Sequence, residues 1–178
     1  RMAALADRLL SMARAAHGGA EAPRALDLAA LVREVCLELT PAARARRIDL
    51  GFEGEGAQPV RGTDLLHELV TNLVDNALRY TPSGGMVTAR VLRAGEAVVL
   101  EVEDDGSGIP AAERAAVLEP FYRGKAAGLK APGEAAPTGS GLGLTIVRDI
   151  AVAHGASLAL LDGALGRGLL VRVRFAPA

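Results

Sequence analysis

The sequence predicts an α/β two-layer sandwich, with helices on one face of a mixed, mostly antiparallel sheet and one further helix ahead of it. Three observations carry this. Segments with apolar residues at helical spacing are interspersed with short extended segments, of which 48–53 and 86–92 alternate apolar and polar residues. Two of the latter, 86–92 and 97–103, are separated only by a tight turn at 93–96. Two more, 157–161 and 169–175, flank a glycine-rich turn near the end, so helices and strands are intermixed along the chain.

The elements follow in order. Residues 2–16 carry Met2, Leu5, Leu9, Met12 and Ala16 on one helical side, with Leu10 and Ala13 widening the stripe. Gly18 and Gly19 end that helix, and 18–25 reads as a small, polar, Pro-containing linker. An extended piece at 25–28 leads into a helix over about 29–46, marked by Leu31, Val32, Val35, Leu39 and Ala43. Residues 48–53 alternate, with Ile48, Leu50 and Phe52 inward and Asp49, Gly51 and Glu53 outward. A third helix carries Asn72 and Asn76, with Leu65, Leu66, Leu69, Val70 and Leu73 as its apolar stripe, and Thr63 or Asp64 available to cap it. In the next strand Val87, Ala89 and Val91 alternate with Thr88, Arg90 and Leu92. Pro110 can open a helix through Leu118. Residues 123–140, rich in Gly, Ala, Pro and Lys, have no periodicity; a connection that long is a functional lid or disordered. A helix over 142–154 precedes the two closing strands.

Composition narrows the possible functions. The 178 residues, 50% hydrophobic and 23% charged, suffice for one well-buried domain plus an extra element. Twenty basic residues against 21 acidic ones give no broad basic surface for nucleic acid, and the lack of Trp leaves few stacking platforms. The single cysteine, Cys36, cannot form an internal disulfide, and its apolar helical setting predicts a buried reduced thiol. No apolar run approaches the length of a membrane span. The chain opens at Arg1 rather than Met, so a fragment of a longer protein is expected.

Asn72 and Asn76 stand four apart, which puts both side chains on one helix face, one turn from each other. An amide oxygen is a neutral, hard ligand that suits magnesium, an ion that keeps several waters and shares its other positions with phosphates. The ordinary alternative is a pair of surface or capping asparagines. Asp104, at a strand end before Gly106, Gly108 and Ile109, can accept a hydrogen bond from an exocyclic amine, while the glycines let a flat ligand approach; an Asp-Gly turn is the alternative. Thr138, Gly139, Ser140, Gly141, Leu142, Gly143 and Leu144 open the long helix, where exposed amides make an anion site or, equally, a hinge. This stretch is not a P-loop, because no Gly-Lys-Ser/Thr follows, and no strand precedes it as in a dinucleotide fingerprint. Phe121 would anchor the mobile segment and Arg123 could reach phosphate. Lys125, Lys130 and Arg79 each have a solvated surface role as the alternative, although Arg79 shares the asparagine face.

Together, across about 24–178, these segments resemble the nucleotide-binding half of sensor histidine kinases, with the Bergerat-type ATP-binding fold. The asparagine helix resembles that family's N box, 104–110 its first glycine box, 119–124 its F box and 139–144 its second glycine box. Ile146, Val147, His154 and Gly155, and the Gly166-Arg-Gly168 turn, also fit. The style is most similar to transmembrane kinases paired with winged-helix response regulators. The resemblance implies Mg²⁺ and ATP as cofactors, with Asn76 and Asn72 holding the metal and Arg79 contacting phosphate where the family usually has lysine. It implies that Tyr80 packs beside the base, that Asp104 accepts from the adenine amine, and that Gly106, Gly108 and Ile109 shape the base pocket. Gly139, Gly141 and Gly143 would free the lid, and Leu142 and Leu144 would seat the helix. Phosphate would pass to a histidine on a dimerisation hairpin in a homodimer, then to a response regulator. The expected setting is the cytoplasmic side of a bacterial inner membrane.

The implied domains are the end of that hairpin helix at 1–17, the linker at 18–25, and the catalytic domain at 26–178 with a lid at about 123–140. The family's acceptor histidine has no counterpart here. His17 and His154 read as helix-end residues, and His67 as a helix residue near the site, although His67-Glu68-Leu69 mimics the start of the acceptor motif. The alternatives are an ATP hydrolase of the same fold, a non-catalytic nucleotide sensor, and an anti-sigma serine kinase. Hydrolases of this fold carry a Glu base where this chain has Asn72.

Overall fold

The computed structural model describes residues 22–120, 122 and 141–177. The helix expected at 2–16, and Phe121, Arg123, Thr138, Gly139 and Ser140, lie outside the described residues.

Chain order is β1 (Arg24–Asp27), α1 (Leu28–Ala45), β2 (Asp49–Gly54), β3 (Pro59–Gly62), α2 (Leu65–Tyr80), β4 (Met86–Ala94), β5 (Ala97–Asp104), α3 (Gly143–Ala153), β6 (Ser157–Asp162) and β7 (Leu169–Phe175). The main sheet has the order β2-β4-β5-β7-β6, parallel only between β2 and β4. Strand pleating sends Val87, Ala89, Val91, Val98, Leu100, Val102, Val171 and Val173 to one face, where α1, α2 and α3 cover them. The opposite face carries an ion-pair ladder: Arg90 bridges Glu53 and Glu103, and Arg172 binds Glu101. This is the expected two-layer arrangement, with α2 packed between α1 and α3.

Local chemistry explains the element ends. Asp27 Oδ1 accepts from the amides of Ala29 and Ala30 at the start of α1 and also from Gln58, and the Gln58 bond above all holds this carboxyl below its ordinary pKa. Pro41 sits inside α1 without breaking it. Pro41 has no N–H to give the Leu37 carbonyl one turn earlier, and Leu37 is 68% exposed, so water can reach this side of the helix. Arg46 donates to the carbonyls of Leu78 and Thr81 and so satisfies the end of α2. Gly95, at φ +67°, makes the two-residue turn between β4 and β5.

Of the two caps offered for α2, Thr63 serves: its Oγ1 accepts from the Leu65 amide at 3.3 Å, whereas Asp64 pairs with Arg24. Three other local expectations change. The helix expected over 110–118 is two short 3-10 turns, Ala111–Glu113 and Ala116–Leu118. A segment this short gains too few bonds to propagate an α-helix, and i to i+3 bonding takes over. β3, which has no counterpart in the sequence pattern, pairs antiparallel with β1 in a separate two-stranded sheet. Only Val60 and Gly62 of its residues are buried, and Pro59 fits at its first position. β1 itself begins at Arg24, within the stretch read as linker.

Candidate functional site

The cleft is framed by α2, the start of α3, and the loop after β5. Asn72 and Asn76 lie half-buried on α2. Asn72 Nδ2 donates to the Glu68 carbonyl at 2.9 Å, which turns its Oδ1 outward. Both amide oxygens converge on the first residue of α3: a Cβ placed on Gly143 would sit 3.8 Å from Asn72 Oδ1 and 3.9 Å from Asn76 Oδ1. Two acceptors thus face a helix N-terminus whose first amides have no intrahelical partner. Gly141 precedes it at φ +72°, and Leu142 (fully buried) and Leu144 root the helix in the core.

Asp104 closes β5 at the other side of the cleft. The pleat that sends Val98, Leu100 and Val102 into the core turns Asp104 the same way, and it is 6% exposed. Its Oδ1 accepts from the amides of Gly106 at 2.9 Å and Leu169 at 3.3 Å. Among the described residues both bonds fall on Oδ1, which leaves Oδ2 for a ligand. Burial, outweighing those two bonds, pushes the carboxyl up to about 6. A side chain on Gly106 would strike the Tyr80 carbonyl, so the end of α2 and the Asp104 loop approach backbone to backbone there. Gly108, at φ +67°, passes equally close to Gly168, and Ile109 packs on the core beside it.

The carboxylates flanking Asp104 hold the last hairpin. Glu103 accepts from the Ala164 amide at 2.5 Å and Asp105 pairs with Arg167 at 3.2 Å. The sequence reading missed this: the acidic run looked like a simple loop, and its register against a turn about 60 residues later is not a local signal. It also missed the clamp at the front of the lid region, where Thr145 and Arg148 of α3 both donate to the Leu118 carbonyl, at 3.1 and 2.9 Å.

Arg79 lies on the asparagine face and pairs with Asp75 at 2.6 Å. Tyr80, half-buried, ends α2 beside the Asp104 loop. His67 does belong to α2, but it faces Glu38 of α1 at 3.4 Å rather than turning to the asparagine face, since five residues of helix rotate it well away from Asn72. His154 ends α3 as expected and also reaches Thr63. Among the described residues no group of three or more His, Cys, Asp or Glu is arranged to hold a metal. The donors that converge are the two amide oxygens, a set that suits a hard, mostly hydrated ion completed by phosphate oxygens, so Mg²⁺ fits this cleft.

Comparison with known proteins settles the family. The profile of the histidine kinase-, DNA gyrase B- and HSP90-like ATPases matches residues 62–178, which include α2, the Asp104 loop and α3. The chain belongs to this family. Among curated relatives it is 39% identical to the sensor protein kinase PmrB of Pseudomonas aeruginosa, over 97% of this chain and 35% of PmrB. It is 33% identical to the sensor protein SphS of Synechococcus elongatus, over 98% of this chain and 43% of SphS. The chain therefore spans less than half the length of these two relatives. Among solved structures it is similar to full-length ShkA in complex with AMPPNP (TM-score 0.77, 26% identity, 98% of this chain and 36% of that one). It is also similar to the mycobacterial sensor histidine kinase MprB (TM-score 0.70, 28% identity, 86% of this chain and 96% of that one). The chain carries the ATP-binding catalytic domain that sensor histidine kinases share. Among its described residues no helix is long and apolar enough to cross a membrane.

Proposed function

We infer that this domain binds Mg²⁺–ATP and passes the γ-phosphoryl group to a histidine on a dimerisation hairpin of its parent protein, for relay to a response-regulator aspartate. The observation that carries the reading is the convergence of Asn72 and Asn76 on Gly143 at one side of the cleft, with Asp104 at the other. In this reading Asp104 Oδ2 accepts from the adenine amine, and Tyr80, Gly106, Gly108 and Ile109 bound the base. Asn76 and Asn72 hold the metal, which neutralises charge on the phosphates. Arg79, Gly141, Gly143 and the first amides of α3 face the phosphates, and Leu142 and Leu144 seat that helix. Phe121, Arg123, Thr138, Gly139 and Ser140 would complete the lid at 123–140. The likeness to ShkA, whose structure contains an ATP analogue, supports the nucleotide.

The chain's own contribution to transfer is to fix the phosphate chain and exclude water rather than to move a proton. Asn72 occupies the place of a water-activating carboxylate, which favours transfer to a side chain over hydrolysis. Residues 1–17 are assigned to the hairpin, the stretch at 18–25 to the linker up to the start of β1 at Arg24, and the rest to the catalytic domain. The parent is read as a bacterial inner-membrane sensor, with this domain on the cytoplasmic side and a winged-helix regulator as partner.

The test uses γ-labelled ATP with this chain, with and without a separately added hairpin carrying the acceptor histidine. Label on the hairpin, dependent on Mg²⁺, is the expected result. Steady release of labelled phosphate with an unlabelled hairpin would instead indicate hydrolysis.

A further inference from the structure

His154 ends α3 and reaches back to the start of α2. Its Nδ1 lies 2.8 Å from the Ile150 carbonyl oxygen, which can only accept, so Nδ1 carries the proton and Nε2 is an acceptor. Nε2 accepts from the Thr63 amide at 3.2 Å, and the Thr63 hydroxyl stands 3.3 Å from the same nitrogen. Gly62 leaves room for the ring: a Cβ there would press on Leu66 and sit 3.4 Å from the imidazole. Gly155, at φ +63°, ends the helix and lets the Ala156 amide close back on Ala151, so the imidazole is held at a defined helix end.

α2 and α3 run antiparallel, because Gly143 faces Asn72 and Asn76 while His154 faces Thr63. At about 1.5 Å per residue, the stretch from Gly143 to His154 covers about 16 Å. Thr63 lies a similar distance, about 16 Å, from the midpoint between Asn72 and Asn76. The helices are therefore matched at two places, the asparagine cleft and the imidazole. The layer between them is buried aliphatic side chains, including Leu69, Leu73, Ile146, Val147 and Ile150. Such packing opposes separation, but its driving force is non-directional and resists sliding only through shape. The bonds at Nε2 are directional.

We propose that His154 is a positioning residue for the phosphate end of the cleft: its imidazole sets the sliding register of α3 against α2 and thereby holds the α3 N-terminus over Asn72 and Asn76. The inference rests on the reading of this cleft as a nucleotide site, and it adds a residue that touches neither base nor phosphate.

Calorimetric titration with Mg²⁺–ATP and, separately, with adenosine tests it, because adenosine uses the Asp104 end alone. His154→Leu keeps bulk and removes the acceptor; His154→Gln restores an acceptor oxygen on a side chain of similar reach. Expected is about tenfold weaker Mg²⁺–ATP binding in His154→Leu, adenosine binding within about twofold of wild type, and recovery of most of the loss in His154→Gln. Equal weakening for both ligands, or no recovery in His154→Gln, marks a merely structural role and overturns the proposal. Unchanged Mg²⁺–ATP affinity in His154→Leu overturns it alone, whereas a wild-type chain that binds neither ligand overturns the site reading beneath it. Should His154→Leu fail to fold, His154→Phe keeps a ring and removes the acceptor without touching the Thr63 cap of α2; the same selective loss supports the proposal, and no selective loss overturns it.

Discussion

Gly168 passes so close to Asp104 that a methyl group on its Cα would overlap the Asp104 carbonyl oxygen. The start of β7 and the end of β5 are thus in backbone contact at the point where Leu169 donates to the Asp104 carboxylate. Gly168 also has φ +78°, which L residues rarely adopt. Gly168→Ala should cost about 3 kcal/mol, through strain and forced strand separation. Urea unfolding should show the loss, and adenosine binding should weaken with it because Asp104 moves; an alanine variant of wild-type stability would refute the close approach.

Asp104 makes nucleotide-free stability depend on pH. Burial raises its pKa from 3.8 to about 6, so the folded chain binds this proton more tightly than the unfolded chain. The stabilising contribution of the neutral carboxyl is full below pH 3.8 and is lost as pH rises through about 6. Two units amount to roughly 3 kcal/mol. Asp104→Asn should therefore unfold at higher denaturant concentration than wild type at pH 7, with the gap closing toward pH 4, while adenosine binding is lost. In the wild type, adenosine affinity should fall by up to tenfold per unit below pH 6, since the ionised carboxylate is the better acceptor. A flat profile between pH 5 and 7 would exclude Asp104 as the base contact.

Gly143→Ala separates folding from the cleft. A Cβ there makes only ordinary contacts, and φ at Gly143 is not positive. With a compatible φ, replacing this glycine should stabilise by about 0.4–1 kcal/mol, by reducing the freedom of the unfolded chain. The same methyl would take up space in front of both asparagine oxygens, where the proposed metal and phosphates would sit, so Mg²⁺–ATP affinity should drop about tenfold, a loss of about 1.4 kcal/mol. Thermal melts and calorimetry on one sample check both halves. A variant less stable than wild type, or one that binds Mg²⁺–ATP as tightly, would contradict the geometry.

Cys36 is buried, and burial pushes its thiol up to about 11, so it should resist alkylation at pH 8 in the folded chain. In 8 M urea it should react as quickly as a small-molecule thiol. Rapid labelling without denaturant would show that α1 opens locally.

Much of the domain was legible in local pattern. The stripes that define α1, α2 and α3 and the alternation in β2 and β4 all follow from side-chain periodicity, which is a property of the chain itself. The same periodicity put Asn72 and Asn76 on one face. Where the pattern was weak the reading slipped. β3 is four residues long and stabilised by β1 some 35 residues earlier, and the 110–118 segment settles into 3-10 turns because its bonds are too few for a helix.

By itself the sequence determined which residues could serve a metal or a base, because spacing along a helix or strand assigns side chains to faces. Only the tertiary structure decided what those faces meet. Gly143 comes to lie over two amide oxygens about 70 residues earlier, His154 reaches Thr63, and Asp104 becomes a buried carboxyl gripped by Leu169. The reason is physical. Periodicity is encoded within one or two turns of chain, whereas the register of α3 on α2 and of β5 against β7 is set by packing and by hydrogen bonds between distant segments. A pattern read along the chain carries no signal of either.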